Sequence, residues 1–193
     1  MTMTAEEHKA RSARSYKLLL WFAMMSMTMM FAGLTSAFVV SKSREDWLKD
    51  FQMPMAFFFS TLAIILCSVT FHLAKKAIQK DNRKATTNFL LLTLALGISF
   101  VILQFIGFTQ VVQSGYYFTG AESNITTTFL YVVTVVHLAH LFGGLISLLI
   151  IIYNHFKQKY NASQTLGIEL GAMYWHFLDF LWVYLFLFLY FFK

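Results

Sequence analysis

The sequence has few of the residues that cross-link, kink or solubilise proteins. It contains one cysteine, Cys67, and one proline, Pro54, among 193 residues, and only 12% of its residues are charged. A single cysteine excludes an internal disulfide, so cysteine usage does not indicate a redox compartment. The nine glycines are too few for a collagenous or low-complexity protein. Such sparse charge beside 58% hydrophobic residues excludes a soluble monomer and predicts an integral membrane protein.

The charged residues fall in short clusters between long apolar runs. A net charge of +6 could suggest a nucleic-acid partner. The basic residues are confined to the segments between apolar runs, however, as the topology of a membrane protein requires. We therefore expect no nucleic-acid partner and interpret the charge as a determinant of orientation.

The apolar runs predict an all-α fold, a bundle of five transmembrane helices in one domain that covers residues 1–193. About 20 apolar residues suffice to cross the hydrocarbon core. The predicted helices lie at about 18–40, 54–74, 86–112, 127–153 and 169–192. Pro54 starts the second helix, where its missing N–H costs least. A basic stretch followed by a full-length apolar run is not typical of a cleavable signal peptide, so we expect the first helix to be retained.

Basic residues are distributed unequally between the two sides of this topology. If every helix crosses, one side carries eleven of the fifteen. These are Lys9, Arg11, Arg14, Lys17, Lys75, Lys76, Lys80, Arg83, Lys84, Lys157 and Lys159. The other side carries Lys42, Arg44, Lys49 and Lys193. The positive-inside rule therefore predicts a cytoplasmic N-terminus and a C-terminus outside.

Five ionisable residues interrupt the last two predicted helices and form the candidate site. His137 and His140 are three residues apart, so they lie on one helical face. Spacings of seven and three likewise place Glu169, His176 and Asp179 on one face. The two helices run antiparallel, and a rise of 1.5 Å per residue brings His140 and Asp179 to similar depth. We predict an interhelical polar network that includes a His140–Asp179 contact, with Glu169 nearer the cytoplasmic surface.

Interhelical contact is the interpretation that we favour for these groups, because unpaired ionisable side chains are costly within a bilayer. A haem would need axial histidines from two helices at matched depth, and His176 opposite His137 or His140 is the available choice. Glu169 and Asp179 lie on the same face as His176, and this arrangement suits a hydrogen-bonded network better than a haem site. The histidines within the spans are too few for a catalytic copper site, and Asp179 alone makes a poor proton path.

Small, methionine and aromatic residues in the predicted helices indicate how those helices pack against each other and against lipid. Small residues would let the fourth and fifth helices approach closely; these are Gly143, Gly144, Gly171 and Ala172. The methionines of the stretch 24–30 point around the first helix, which favours packing over a soft copper site. The aromatic tail at 182–193 is expected to face lipid and the membrane interface.

Two motifs in the last two helices are specific in combination. The fifth helix opens with Gly-x-Glu ending at Glu169 and continues as Tyr-Trp-His-Phe-x-Asp over residues 174–179, with Trp182 three residues on. The fourth carries His-x-x-His at 137–140, followed by two glycines. Together with weaker likeness at 26–38, 82–84 and 103–104, these motifs resemble subunit III of the haem-copper terminal oxidases, the cytochrome c oxidase and quinol oxidase family. Longer members have seven helices, and five helices resemble the short bacterial form.

The resemblance implies a non-catalytic subunit III of a proton-pumping oxidase, which reduces oxygen to water with electrons from cytochrome c in a bacterial plasma (inner) membrane. It implies no catalytic, haem or metal site in this chain, haem and copper in partner subunits, and a bound phospholipid. Expected partners are the catalytic subunit I, subunit II, a small subunit IV, membrane lipids and a respiratory supercomplex. Lys75, Lys76 and Lys157 are candidate ligands for lipid head groups at the inner surface.

The sequence departs from the family's pattern at two positions. Many members place a buried glutamate where this chain has Met27, and another shortly after the position of Gln104, where this chain reads "FIGF". A proton-related role of those acids therefore does not carry over. The alternatives are subunit III of a quinol oxidase or, from another class, an autonomous membrane transporter or a b-type cytochrome.

Overall fold

The described part of the chain folds into five long α-helices. A computed structural model describes residues 5–48, 52–120, 124–162 and 164–192. The helices are α1 (Ala5–Val40), α2 (Met55–Gln79), α3 (Arg83–Gln113), α4 (Ile125–Phe156) and α5 (Leu166–Phe192). Each is long and apolar enough to cross a membrane, which confirms the predicted all-α membrane fold. Lys49 and Lys193, which the charge count placed opposite the basic clusters, lie outside the described residues.

The helices extend beyond the apolar runs that predicted them. α1 begins at Ala5 instead of about residue 18 and contains 36 residues, a length of about 54 Å against about 30 Å of hydrocarbon. Its polar first part is rich in alanine, glutamate, lysine and arginine, which are strong helix formers. Glu6 and Glu7 in its first turn complement the positive end of the helix dipole. Hydropathy identifies only the segment that crosses the membrane, so it misses this extension.

Asparagine side chains start two of the helices. The Asn82 side chain accepts a hydrogen bond from the Ala85 N–H at 3.1 Å at the start of α3, and Asn124 accepts one from the Thr127 N–H at 3.0 Å at the start of α4. Each satisfies an N–H group that has no partner within its helix. The preceding Asp81 has a φ of 55°, which makes the tight turn between α2 and α3.

The helices form a four-membered ring with α1 on its outside. α2 packs on α3, α3 on α4, α4 on α5 and α5 on α2, while α1 packs on α4 and α5. At one end, Lys17 of α1 contacts Glu169 of α5, and Arg83 donates a hydrogen bond to the Tyr160 carbonyl. The three basic segments therefore share one end of the bundle, called the basic end below.

The indole rings of α5 occupy the centre of the bundle. Trp175 and Trp182 are 1% and 2% exposed. The Trp175 Nε1–H donates to Cys67 Sγ at 3.2 Å, and the Trp182 Nε1–H donates to Thr61 Oγ1 at 3.0 Å. Both partners belong to α2, so the two rings fill the core and also tie α5 to α2 by hydrogen bonds.

Glycines on the facing helices make room for these rings. A Cβ added at Gly144 of α4 would lie 3.0 Å from Leu178 and 3.2 Å from Trp175, and one added at Gly97 of α3 would lie 3.2 Å from Trp175. At Gly171, the Ile151 side chain fills the space that a Cβ would take. Small residues thus bring α4 and α5 close together, a geometry common in membrane proteins.

The aromatic tail and the methionine run are only partly as expected. The outward-facing assignment is wrong for one side of the tail, because Trp182, Phe186 and Leu189 are buried while Phe191 is exposed. In an uninterrupted apolar segment no polar residue marks the outward face. Among the methionines of the run, Met24 is in the core, and others are exposed.

Candidate functional site

Glu169 lies at the basic end, where it pairs with α1. The Lys17 Nζ lies 2.9 Å from Glu169 Oε2, and the Thr165 hydroxyl donates to Oε1 at 2.7 Å. Lys17 and Glu169 side chains are 43% and 26% exposed. The ion pair therefore attaches α1 to the first turn of α5, near the bundle surface, and contains no histidine of α4.

His176 and Asp179 share one face of α5, and that face points to α2. His176 Nδ1 lies 2.6 Å from Ser68 Oγ of α2, and its ring centroid lies 6.1 Å from that of His72. Asp179 lies one turn deeper and is 4% exposed. Neither of its carboxylate oxygens has a hydrogen-bond partner in the described structure.

The predicted His140–Asp179 contact is absent from the hydrogen bonds and ion pairs of the described residues. The His140 Nδ1 bonds to the Val136 carbonyl of its own helix at 2.7 Å, and its ring lies 5.8 Å from Phe31 of α1. The helical spacings place each residue on a face, but α4 turns His140 toward α1 while α5 turns Asp179 toward α2. The five candidate residues thus form separate contacts instead of one network.

His137 is enclosed by aromatic rings. It is fully buried, and its ring centroid lies 6.4 Å from Phe31, 6.1 Å from Phe100 and 5.1 Å from Trp182. Neither ring nitrogen has a hydrogen-bond partner in the described structure. His176 contacts α2, so His137 and His176 do not face each other as a pair of haem ligands would.

A groove runs along the outside of the bundle between α1 and the pair α4 and α5. It consists of two adjoining clefts of about 620 and 630 Å³ that share Tyr160 and Gly167. The cleft farther from the basic end is mostly apolar and includes Met27 and Ile146. The cleft at the basic end is lined by charged side chains: Glu6, Lys9, Lys17, Lys159 and Glu169. We call the two together the α1 groove.

The rim of the groove includes a partly buried phenol. Tyr160 lies in the loop between α4 and α5 and lines both clefts. Desolvation raises the pKa of its hydroxyl, partly offset by a hydrogen bond to Asn154. Tyr160 is therefore a neutral polar group beside the lysines of the rim.

The three lysines predicted as lipid ligands occupy different settings. Lys75 is half-buried, and its positive charge interacts electrostatically with both His176 and Glu169. Lys76 is exposed. Lys157 is exposed, and its Nζ lies 4.6 Å from the centroid of the Tyr153 ring. None of the three lines the α1 groove.

The sequence reasoning missed two partners that the structure identifies, Lys17 and Ser68. Lys17 is the last basic residue before the first apolar run, a position that could have matched it with Glu169 at the same membrane surface. Ser68 gives no such signal, because serine is common in membrane helices and inexpensive to bury.

His137 and His176 should respond differently to substitution. His137→Leu removes ring nitrogens that have no partner among the described residues, so we expect the unfolding temperature to stay unchanged or rise. His176→Leu removes the bond to Ser68 and should destabilise the protein by about 0.6 kcal/mol, and by at most about 2. Thermal unfolding of the detergent-solubilised protein measures both.

Ser68→Ala is the matched control for that comparison. The Ser68→Ala and His176→Leu effects should be non-additive, because both changes remove the same hydrogen bond. An equal loss of stability in His137→Leu and His176→Leu would contradict this assignment of the two histidines.

Comparison with known proteins identifies the family. The family model described as "Cytochrome c oxidase subunit III" matches residues 3–193. "Cytochrome c oxidase subunit 3" of Thermostichus vulcanus is 29% identical over 171 residues, which cover 86% of this chain and 82% of the relative. The protein of the same name from Spodoptera frugiperda is 32% identical over 140 residues, 72% of this chain and 89% of the relative.

A longer relative, "Cytochrome c oxidase subunit 3" of Drosophila melanogaster, is 31% identical over 140 residues, and these cover 50% of its length. The match to the family model extends over nearly the whole chain, and the resemblance predicted from the motifs of α4 and α5 is confirmed. This chain belongs to the cytochrome c oxidase subunit III family, the non-catalytic subunit of the haem-copper oxidases.

Proposed function

We propose that this chain supports the catalytic subunit of a cytochrome c oxidase that uses cytochrome c as electron donor. The match of residues 3–193 to the family model carries this proposal. The relatives named above are all cytochrome c oxidase subunits, which favours cytochrome c over quinol. Subunit I, subunit II, a small subunit IV and a respiratory supercomplex are the proposed partners.

The proposed support is mechanical and depends on a rigid bundle. α5 is joined to α1 by the Lys17–Glu169 pair and to α2 by the indole N–H groups. A bundle held in this way offers a fixed apolar surface, including Phe59, Ile102 and Phe105, to a neighbouring subunit. Helix association in membranes rests on such packing.

Deletion of this chain should shorten the working life of the oxidase. We expect the purified enzyme without it to retain its haem and most of its initial rate, but to inactivate after several-fold fewer turnovers. The reason is that the catalytic subunit loses a rigid neighbour. Oxygen consumption with excess reduced cytochrome c measures this, and re-expression of the chain is the control. An unchanged working life would contradict the supporting role.

The α1 groove is the proposed binding site for a phospholipid. Its apolar cleft suits an acyl chain, and the lysines at the basic end suit a phosphate head group. Lys75, Lys76 and Lys157 remain proposed surface contacts for other head groups. Met27 lines the apolar cleft of the groove, so that position places no acidic side chain against the acyl chain of a bound lipid.

Loss of the lysines at the rim should release the lipid. In the Lys9→Gln/Lys159→Gln variant we expect weaker retention of an anionic phospholipid, by roughly 1 kcal/mol for each lysine. Native mass spectrometry of the purified complex measures the bound lipid. Lys42→Gln, at the opposite end of the bundle, is the control. Equal retention in both variants would contradict the site.

The proposed location is a bacterial inner membrane with the basic end in the cytoplasm, following the positive-inside rule. Cys67 is the single cysteine and is buried, so it gives a low background for labelling. A membrane-impermeant maleimide added to intact cells should label a Ser114→Cys variant and leave Gln158→Cys, at the basic end, unlabelled. The reverse pattern would invert the topology.

A further inference from the structure

Two histidine rings from different helices meet near the basic end. The ring centroids of His72 on α2 and His176 on α5 lie 6.1 Å apart, and the ring planes are inclined by 50°. His72 is exposed and His176 is half-buried. His72 also precedes Lys75 and Lys76 by about one helical turn. The pair is therefore within reach of water at this surface of the membrane.

The separation of the two rings fits two ligands of one metal ion. A metal about 2.1 Å from an imidazole nitrogen lies about 3.2 Å from the centroid of that ring. Two such rings are then roughly 5.2 Å apart for a tetrahedral angle at the metal, and at most about 6.4 Å apart for a linear one. The observed 6.1 Å lies within this range. Because His72 is exposed and its χ2 torsion is soft, its ring can rotate to bring a nitrogen toward the metal.

The contact with Ser68 prepares His176 as a ligand. His176 Nδ1 lies 2.6 Å from Ser68 Oγ. When the Nδ1–H group donates to that oxygen, the Nε2 lone pair is left for a metal. Histidine ligands of metals commonly use their other ring nitrogen in such a bond, which fixes the tautomer and the orientation of the ring. Ser68 and His72 both belong to α2, so this helix supplies one ligand and orients the other.

The charges around the pair favour an ion that exchanges over one that is held permanently. The positive charge of Lys75 interacts with His176 and opposes a cation. Lys75 also interacts with Glu169, which pairs with Lys17. On α5, the buried Asp179 carboxyl follows three residues after His176 on the same face.

The protein supplies two ligands and water supplies the others. In the described part of the chain, no group of three or more His, Cys, Asp or Glu side chains is placed to hold a metal ion. A site with two imidazoles is consequently open to solvent and binds less tightly than a closed structural site.

We propose that His72 and His176 form an exchangeable binding site for a borderline divalent cation, Zn²⁺, at the basic end of the bundle. Imidazole nitrogen suits Zn²⁺, whereas Mg²⁺ and Ca²⁺ require oxygen ligands. The bound ion joins α2 to α5 near the membrane surface, as the indole N–H groups of α5 do deeper in the bundle. The proposal concerns this chain alone and does not depend on its role in supporting the catalytic subunit.

Zn²⁺ binding to the lipid-reconstituted full chain tests the proposal. In equilibrium dialysis at neutral pH, we expect a Zn²⁺ site whose dissociation constant rises roughly 10- to 100-fold in His72→Gln and in Ser68→Ala, because the first loses a ligand and the second loses the group that orients one. His8→Gln is the matched control, because His8 is also exposed but lies at the start of α1; its affinity should equal that of the wild type.

Electron paramagnetic resonance with Cu²⁺ as the probe identifies the ligands directly. Cu²⁺ uses the same imidazole ligands and binds them more tightly than Zn²⁺ does. We expect coupling to two imidazole nitrogens in the wild type and to one in His72→Gln.

Three outcomes would overturn the proposal. The wild type could bind no Zn²⁺, or His72→Gln could bind Zn²⁺ as tightly as His8→Gln. A Cu²⁺ spectrum of the wild type with a single imidazole would also overturn it, and this measurement needs no substituted protein. Neither method measures the turnover lifetime of the oxidase, so failure here is distinguishable from failure of the supporting role.

Discussion

Close packing around the indole rings of α5 is the constraint on which the bundle depends. Lipid tails are as apolar as the side chains, so helices gain little from hydrophobic burial and associate through contact and hydrogen bonding. Trp175 meets Gly97 of α3, Gly144 of α4 and Cys67 of α2. One side chain of α5 thus contacts three other helices, and the position of each is fixed by the space left beside that ring.

The ionisable groups divide according to their depth in this packing. Glu169, at the basic end, is paired with Lys17 and partly exposed, and such pairs contribute little more than orientation of the helices. Deeper in the bundle, the side chains of His137 and Asp179 are buried and have no hydrogen-bond partner among the described residues. His137 lies within an aromatic cage, and Asp179 is buried on the face of α5 that points to α2.

The sequence predicts the helices and the faces of their polar residues better than it predicts which residues of different helices contact each other. A spacing of three places His176 and Asp179 together because helical geometry is fixed. It does not reveal how far α5 is rotated within the bundle, so Asp179 was matched with His140 of α4, although the face that it shares with His176 points to α2. For a similar reason the sequence does not show which face of the aromatic tail at 182–193 is buried, because the residues that follow Trp182 are mainly apolar on every face of the helix.

The position of α1 outside the ring has a consequence for biogenesis. α1 packs on α4 and α5, which leave the ribosome after it. Its contacts with the described bundle therefore form only after α4 and α5 have been made. α2 and α3, joined by the tight turn at Asp81, can associate as soon as both are inserted. We expect the α2–α3 hairpin to form before the ring closes, and α1 to dock after α4 and α5 have been made.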